Sequence, residues 1–348
     1  MKAIFDEATI AGLKIKNRIA AASVGRNLAD IAGHIPEALY AVYNELAEGE
    51  VGLIITEMTM VSVHDYPVPG FTRLQDDAVI PEYKKLTDMV HQAGSLIVAQ
   101  LAFGGYFRDG AQVSSDEMTK AELEDVGQSF IDAAIRAKEA GFDGVELHCA
   151  HGFLLNRIMS PAFNHRTDEY GGSTENRCKV TLGIINGIRQ QRGDFPIFAK
   201  VNCNDGQSNG IMEDESITIC KLLEANGIDA IEVSAMDASK AKIKPGDSEG
   251  YFAYFGKELK TQITVPVILT GGHRSKEHME LLLEENACDM FSIARPLIRE
   301  PGMIARWKSG NLKPSDCVSC NQCYKMVGHK CIRGTLNPDG TVTKNERE

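Results

Sequence analysis

The chain lacks any run near the roughly 18 consecutive apolar residues that a membrane-spanning helix needs, so no membrane partner is expected. Its start, Met1-Lys2-Ala3-Ile4-Phe5-Asp6, has no apolar core of the secretory-signal kind. Positive charge is also scarce: 37 Lys and Arg stand against 48 Asp and Glu, a formal net charge of -11. A phosphate backbone wants a basic face, so a nucleic-acid partner is excluded. No linker, low-complexity tract or composition break interrupts the chain before about residue 312. Together these absences predict a cytoplasmic globular protein whose nine cysteines stay reduced thiols.

What is present is a repeating beat. Apolar runs of strand length cover 18–23, 52–59, 95–101, 144–149, 196–201, 230–234, 266–270 and 289–294. Most are rich in Val and Ile on consecutive residues, as strands buried on both faces should be. Helical spacing fills the gaps at 36–48, 81–92, 119–140, 175–192, 213–225, 252–261 and 275–285. Asp214 or Ser216 is expected to cap one start, and Gly94, Gly141 and Gly227 to stop three helices. Eight strands alternating with helices predict an α/β fold, a (β/α)8 barrel over residues 1–312, with a cysteine-containing extension over 313–348.

A barrel places its chemistry at the carboxyl ends of its strands. Those ends hold Ser23 to Arg26, Glu57 to Thr59, Gln100, His148 and His151, Lys200 to Asn204, Ser234, Gly271 to His273, Ala294 and Arg295. The set is rich in amide, imidazole and cationic groups and lacks the converging carboxylates of glycoside hydrolysis. Gly271, Gly272 and Arg295 end the last two strands, where barrels often seat a phosphate; the alternative is that the glycines only make turns. Lys200 is either a snorkelling side chain or a fixed cation aimed at a ligand. His148 and His151 read either as metal ligands, with Glu146 on the same strand face, or as paired donors to a substrate oxygen.

Several motifs resemble the old yellow enzyme family of NADH:flavin oxidoreductases. They are Ile15-Lys16-Asn17-Arg18-Ile19, Val51-Gly52-Leu53-Ile54-Ile55, Gln100-Leu101, the His148/His151 pair, and Ala294-Arg295-Pro296-Leu297. The most specific is Asn164-His165-Arg166-Thr167-Asp168-Glu169-Tyr170-Gly171-Gly172-Ser173 followed by Glu175-Asn176-Arg177. The resemblance implies FMN across the barrel mouth, reduction by NAD(P)H, and hydride transfer to an electron-poor alkene or quinone-like acceptor. It implies cofactor contacts from Ser23, Val24, Thr59, Gln100, Lys200, Gly271, Gly272, Ala294 and Arg295, with His148 and His151 donating to the substrate carbonyl. A homo-oligomer is expected as well. The other functional class that fits is a flavin electron-transfer or sensor protein using the cysteine tail as relay or contact.

Two departures mark this chain. Phe153 stands where the family usually has a proton-donating tyrosine, leaving water, Tyr106 or Cys149 as sources. Lys200 replaces the more usual arginine and so loses the planar fork. The tail is similar to that of the 2,4-dienoyl-CoA reductase branch, which binds [4Fe–4S] there. Its spacing differs, with Cys317, Cys320, Cys323 and Cys331 reading C-x2-C-x2-C-x7-C. Four thiolates so close suit iron–sulfur or zinc.

Overall fold

The structure, a computed structural model, describes residues 2–65 and 70–345. Eight parallel strands close into a ring: β1 (Ile19–Ala21), β2 (Leu53–Ile55), β3 (Leu96–Ala102), β4 (Gly144–Cys149), β5 (Ile197–Asn202), β6 (Ala230–Ser234), β7 (Val267–Leu269) and β8 (Met290–Ile293). Each pairs with the next, and β8 returns to β1 through Phe291 opposite Ile19. All eight apolar runs therefore became barrel strands, as expected.

The connecting helices are α1 (Glu37–Glu48), α2 (Ile80–Gln92), α3 (Lys120–Glu139), α4 (Thr174–Arg192), α5 (Glu213–Ala225), α6 (Ala253–Gln262) and α7 (Lys276–Glu284). Thr119 and Glu122 form a reciprocal capping box at the start of α3, and Ser173 caps α4. Gly94, Gly141 and Gly227 follow three helices at positive φ. The expected cap on α5 is not formed: Met212 occupies that position, with no side-chain cap. Ser216 instead donates its hydroxyl to the Asn202 carbonyl at 2.7 Å. Glu213, Asp214 and Glu215 in the first turn supply the favourable negative charge a helix start accepts.

Because strand side chains alternate with period two, every second residue points into the barrel. Low in the lumen those residues are apolar. Leu53, Ile55, Val98, Phe198, Ala230, Ile268 and Met290 form one buried cluster. An antiparallel hairpin, Ala8–Ile10 with Leu13–Ile15, seals it from below through Ala8, Ile10 and Ile15. Two residues higher the same faces turn polar, with Gln100, Glu146, Lys200 and Glu232 all nearly or fully buried.

The chain beyond Lys308 runs over the carboxyl end of the barrel in short turns. Arginines hold it there. Arg299 donates to Asp316 Oδ2 and to the carbonyls of Arg333 and Gly334, and Arg274 donates to Ser319 Oγ at 2.6 Å. Arg26 Nη1 reaches the carbonyls of Gly328 and His329 at 3.4 and 3.5 Å. Among the described residues no helix is long and apolar enough to cross a membrane.

Phe198 has no exposed surface in the lumen floor. Phe198→Ala is expected to cost about 3–5 kcal/mol, since the sealed cluster cannot collapse around the cavity left. Urea unfolding that shows under 1 kcal/mol would contradict that packing.

Candidate active site

A cavity of about 400 Å³ opens at the carboxyl ends of the strands, within the range of small-molecule sites. Ser23, Val24, Gln100, His148, His151, Lys200, Gly271, Gly272, Ala294 and Arg295 all line it. Thr59 does not. It is buried beside β3, paired with Leu101, and its hydroxyl lies 3.3 Å from Thr72 Oγ1 and from the Glu57 carbonyl. The strand bends after Ile55, so Thr59 no longer follows the lumen alternation.

One wall carries the imidazoles. The rings of His148 and His151 meet edge to face with centroids 5.0 Å apart. His151 Nε2 lies 2.7 Å from Ser234 Oγ, and its backbone N–H donates to Asn202 Oδ1. His148 Nδ1 is buried without a protein partner. Burial, joined by Lys200, pushes His151 down to about 3. Burial, then His151 and Lys200, hold His148 well below its ordinary value. Both rings are therefore neutral at physiological pH. Each then carries one N–H for an acceptor oxygen, and neither brings a charge that would need a counter-ion.

Phe153 packs on this pair, its ring centroid 4.3 Å from that of His148. It has no proton to give, and of the other expected sources the two side chains are elsewhere. Cys149 faces outward beside Cys178 and Cys220, and burial pushes its thiol up. Tyr106 stacks between His64 and Phe103 and does not line the cavity.

The opposite end is cationic. Gly271 has φ of 124°, and a Cβ there would stand 3.3 Å from the backbone nitrogens of Tyr251 and Phe252. A Cβ on Gly272 would approach Tyr251 Cε1 to 2.6 Å. This glycine cradle leaves backbone open to an anion, with Arg274 and Arg295 beside it. Arg295 also donates to the Lys240 carbonyl at 2.7 Å and to Asn321 Oδ1.

On the cavity floor, Ser23 Oγ donates to Gln100 Oε1 at 2.8 Å, and Gln100 Nε2 donates to Glu146 Oε1 at 2.7 Å. Lys200 Nζ sits 2.8 Å from Glu232 Oε1. That pairing favours the fixed-cation reading of Lys200 over the snorkelling one. Glu146 is committed to the lumen and to Gln100, not to a metal shared with the histidines. The cavity volume, the glycine cradle beside two arginines, and the unpartnered His148 Nδ1 fit a flat cofactor with an anionic tail.

The four tail cysteines line one small pocket together with Arg295. Among the described residues no three His, Cys, Asp or Glu side chains are arranged to hold a metal ion. The cysteines converge without adopting a ligating geometry.

Sequence reading missed Arg274, Glu232, Tyr324 and His329. Arg274 was the next residue in Gly271-Gly272-His273, and Glu232 follows from alternation, two residues before Ser234. Tyr324 and His329 line the cavity from the far end of the chain, and no local signal marks them.

A depressed folded-state value means the unfolded chain binds the proton first. His151 should therefore contribute stability that is full above about 6.5 and lost as pH falls from there toward about 3. Its imidazole ¹⁵N shifts are expected to stay those of the neutral ring at pH 5; a titration midpoint near 6.5 would contradict this site.

Comparison with known proteins agrees with this geometry. The family model for the NADH:flavin oxidoreductase / NADH oxidase family matches residues 3–313. The chain is 34% identical to an NADH oxidase of Thermoanaerobacter brockii, over 96% of this chain and 56% of that protein. It is 32% identical to an NADPH dehydrogenase of a Geobacillus species, over 86% of this chain and 91% of the other. Among solved structures, a 2-naphthoyl-CoA reductase in complex with 2-naphthoyl-CoA superposes with a TM-score of 0.86 at 25% identity, over 96% of this chain and 56% of that one. An old yellow enzyme homologue from Zymomonas mobilis shares the fold, with a TM-score of 0.73 at 23% identity, over 90% of this chain and 94% of its own. The chain spans a little over half the length of the first two curated relatives it matches. By family model and sequence identity alike, the chain belongs to the NADH:flavin oxidoreductase / NADH oxidase family.

Proposed function

We propose that this chain is an FMN-dependent NAD(P)H oxidoreductase working by alternate half-reactions, with an electron-poor alkene or quinone-like compound as acceptor. The observation that carries the reading is the shared cavity: two neutral imidazoles on one wall, Lys200 and Gln100 on the floor, and a glycine–arginine cradle at the far end. Bound FMN would supply the hydride carrier that none of these side chains can be.

The residues then divide the work. Gly271, Gly272, Arg274 and Arg295 would hold the phosphate. Gln100, fixed between Ser23 and Glu146, would offer its amide to the pyrimidine ring. Lys200, paired with Glu232 at 2.8 Å, would face the same ring, on the edge where negative charge develops when the cofactor is reduced. His148 and His151 donate to the acceptor oxygen and draw electron density from the carbon to be attacked. Their neutrality suits this role, since a donor N–H is available across the whole physiological range. Phe153 gives no proton, so an alkene acceptor would take the proton for its second carbon from solvent water, and quinone-like acceptors, protonated on oxygen, need none on carbon.

The barrel through residue 312 carries this chemistry, and the described part of the extension, 313–345, closes one side of it. The four cysteines of that extension offer a donor set suited to [4Fe–4S] or zinc. A second reading, a flavin electron-transfer protein, is favoured by that convergence and by Tyr324 and His329 reaching the cavity.

Purified protein is expected to take up FMN and turn yellow; colourless protein that refuses FMN ends the proposal. Turnover with enones or nitroalkenes separates the enzyme from the electron-transfer reading. Phe153→Tyr should speed alkene reduction by about 10²-fold or more, the scale of general acid catalysis. Reduction by NAD(P)H should change far less, and equal effects on both half-reactions would contradict the missing-donor argument. Anaerobic purification with iron and zinc analysis checks the tail: metal-free protein with intact cysteines would remove the metal from this scheme.

A further inference from the structure

Three ionisable side chains meet inside the barrel just below the cavity floor. Glu146 and Glu232 have no exposed surface, and Lys200 is 4% exposed. Strand register puts Lys200 across from Glu232 and Gln100 across from Glu146. Lys200 reaches Glu232 Oε1 at 2.8 Å, and Gln100 satisfies only Oε1 of Glu146. Glu146 Oε2 is buried with no hydrogen bond, while Glu232 is faced by Lys200, by Glu146 and by the Ser292 hydroxyl.

Two ionised carboxylates against one ammonium would leave an uncompensated negative charge in a buried lumen, which is strongly unfavourable. They would also leave Glu146 Oε2, against Glu232, with no donor. One proton held between the two carboxyls removes both problems, because it cancels the excess charge and supplies the missing donor. We propose that Glu146 and Glu232 share a single proton and jointly present one negative charge to Lys200, so that the flavin edge meets a neutral ion pair and not a bare cation. This rests on the flavin reading given above.

The direction of each group's affinity agrees. Burial and the neighbouring Glu232 push Glu146 well up. Burial would raise Glu232 too, but Lys200 outweighs it and holds that carboxyl down. Burial works against the Lys200 charge, and the two glutamates more than restore it. The other titratable groups facing Lys200 are His148 and His151, both neutral, so no further charge enters the count. Glu146 and Glu232 do not line the cavity. They are positioning residues, acting through Gln100 and Lys200. Muting the Lys200 charge withholds stabilisation from the reduced, anionic flavin and makes it a stronger hydride donor.

The test is a redox titration of FMN-loaded wild type, Glu146→Gln, Glu232→Gln and the double variant. In each single variant the remaining carboxyl ionises and takes over the pairing, so the equilibrium between oxidised and reduced flavin should move less than threefold. In the double variant Lys200 stands unpaired, and the equilibrium should favour reduced flavin tenfold or more, about 30 mV upward for a two-electron couple. A double variant that matches wild type, or single shifts that simply add up to the double one, would overturn the sharing. Infrared spectroscopy gives a second readout that needs no flavin. The apoprotein at neutral pH should show a carboxylic-acid C=O band that disappears in either single variant. Glu57, which burial pushes up to about 7, contributes a band of its own, so the signal is the difference from wild type. If neither single variant loses a band, the proposal fails even where the double variant does not fold. Failure to load FMN with the infrared loss intact would fault the flavin reading and leave the shared proton standing.

Discussion

A charged lysine inside a closed barrel must be answered from within the barrel, and the upper lumen is arranged around that need. Lys200 and Glu232 stand side by side because β5 and β6 are parallel neighbours in register. The apolar floor under them, sealed by the N-terminal hairpin, denies them water and so makes their pairing obligatory. Gln100 is then fixed by Glu146, Ser23 by Gln100, and the imidazoles lose their protons partly because Lys200 keeps its own. The cavity inherits its electrostatics from one buried pair.

The second organising device is arginine. Arg26 from the loop after β1, Arg274 after β7, and Arg295 and Arg299 after β8 all reach the chain beyond residue 308 or the loops beneath it. Each carries several donors in a rigid fork, so one side chain can hold two carbonyls of an irregular segment. In this way a stretch with almost no regular structure becomes part of the cavity wall. Tyr324 and His329 are its contribution, and Ser239 fixes the Tyr324 hydroxyl at 2.6 Å.

Much of this was legible in the sequence because the barrel writes its pattern locally. Val145, Leu147 and their counterparts face the helices, while Glu146 and His148 face the lumen, and alternation alone gives both sets. The strand ends followed from the same beat, which is why ten of the expected cavity residues line it. Thr59 escaped because the strand bends after Ile55, and a bend leaves no trace in an apolar run. The cap on α5 was misread since Ser216 spends its hydroxyl on a neighbouring strand, a tertiary choice that local propensity cannot reveal. Spacing leaves the histidines open between metal ligands and donors; burial and the neighbouring Lys200 favour neutral rings, and neither is visible in spacing. Tyr324 and His329 depend on contacts across some 300 residues of chain, as with His329 against Asn27, and periodicity carries no such information.

Half of these arginine contacts to the tail go to main-chain oxygens, at Arg333, Gly334, Gly328 and His329, and the rest to the side chains of Asp316, Ser319 and Asn321. A clamp that grips the backbone is indifferent to most of the side chains it holds. Changing the side chain of Tyr324 or His329 would break its contact with Ser239 or Asn27 and leave the arginine contacts in place. What holds the segment and what it shows to the cavity are thus carried by different groups, a separation that the strand-borne histidine wall does not have.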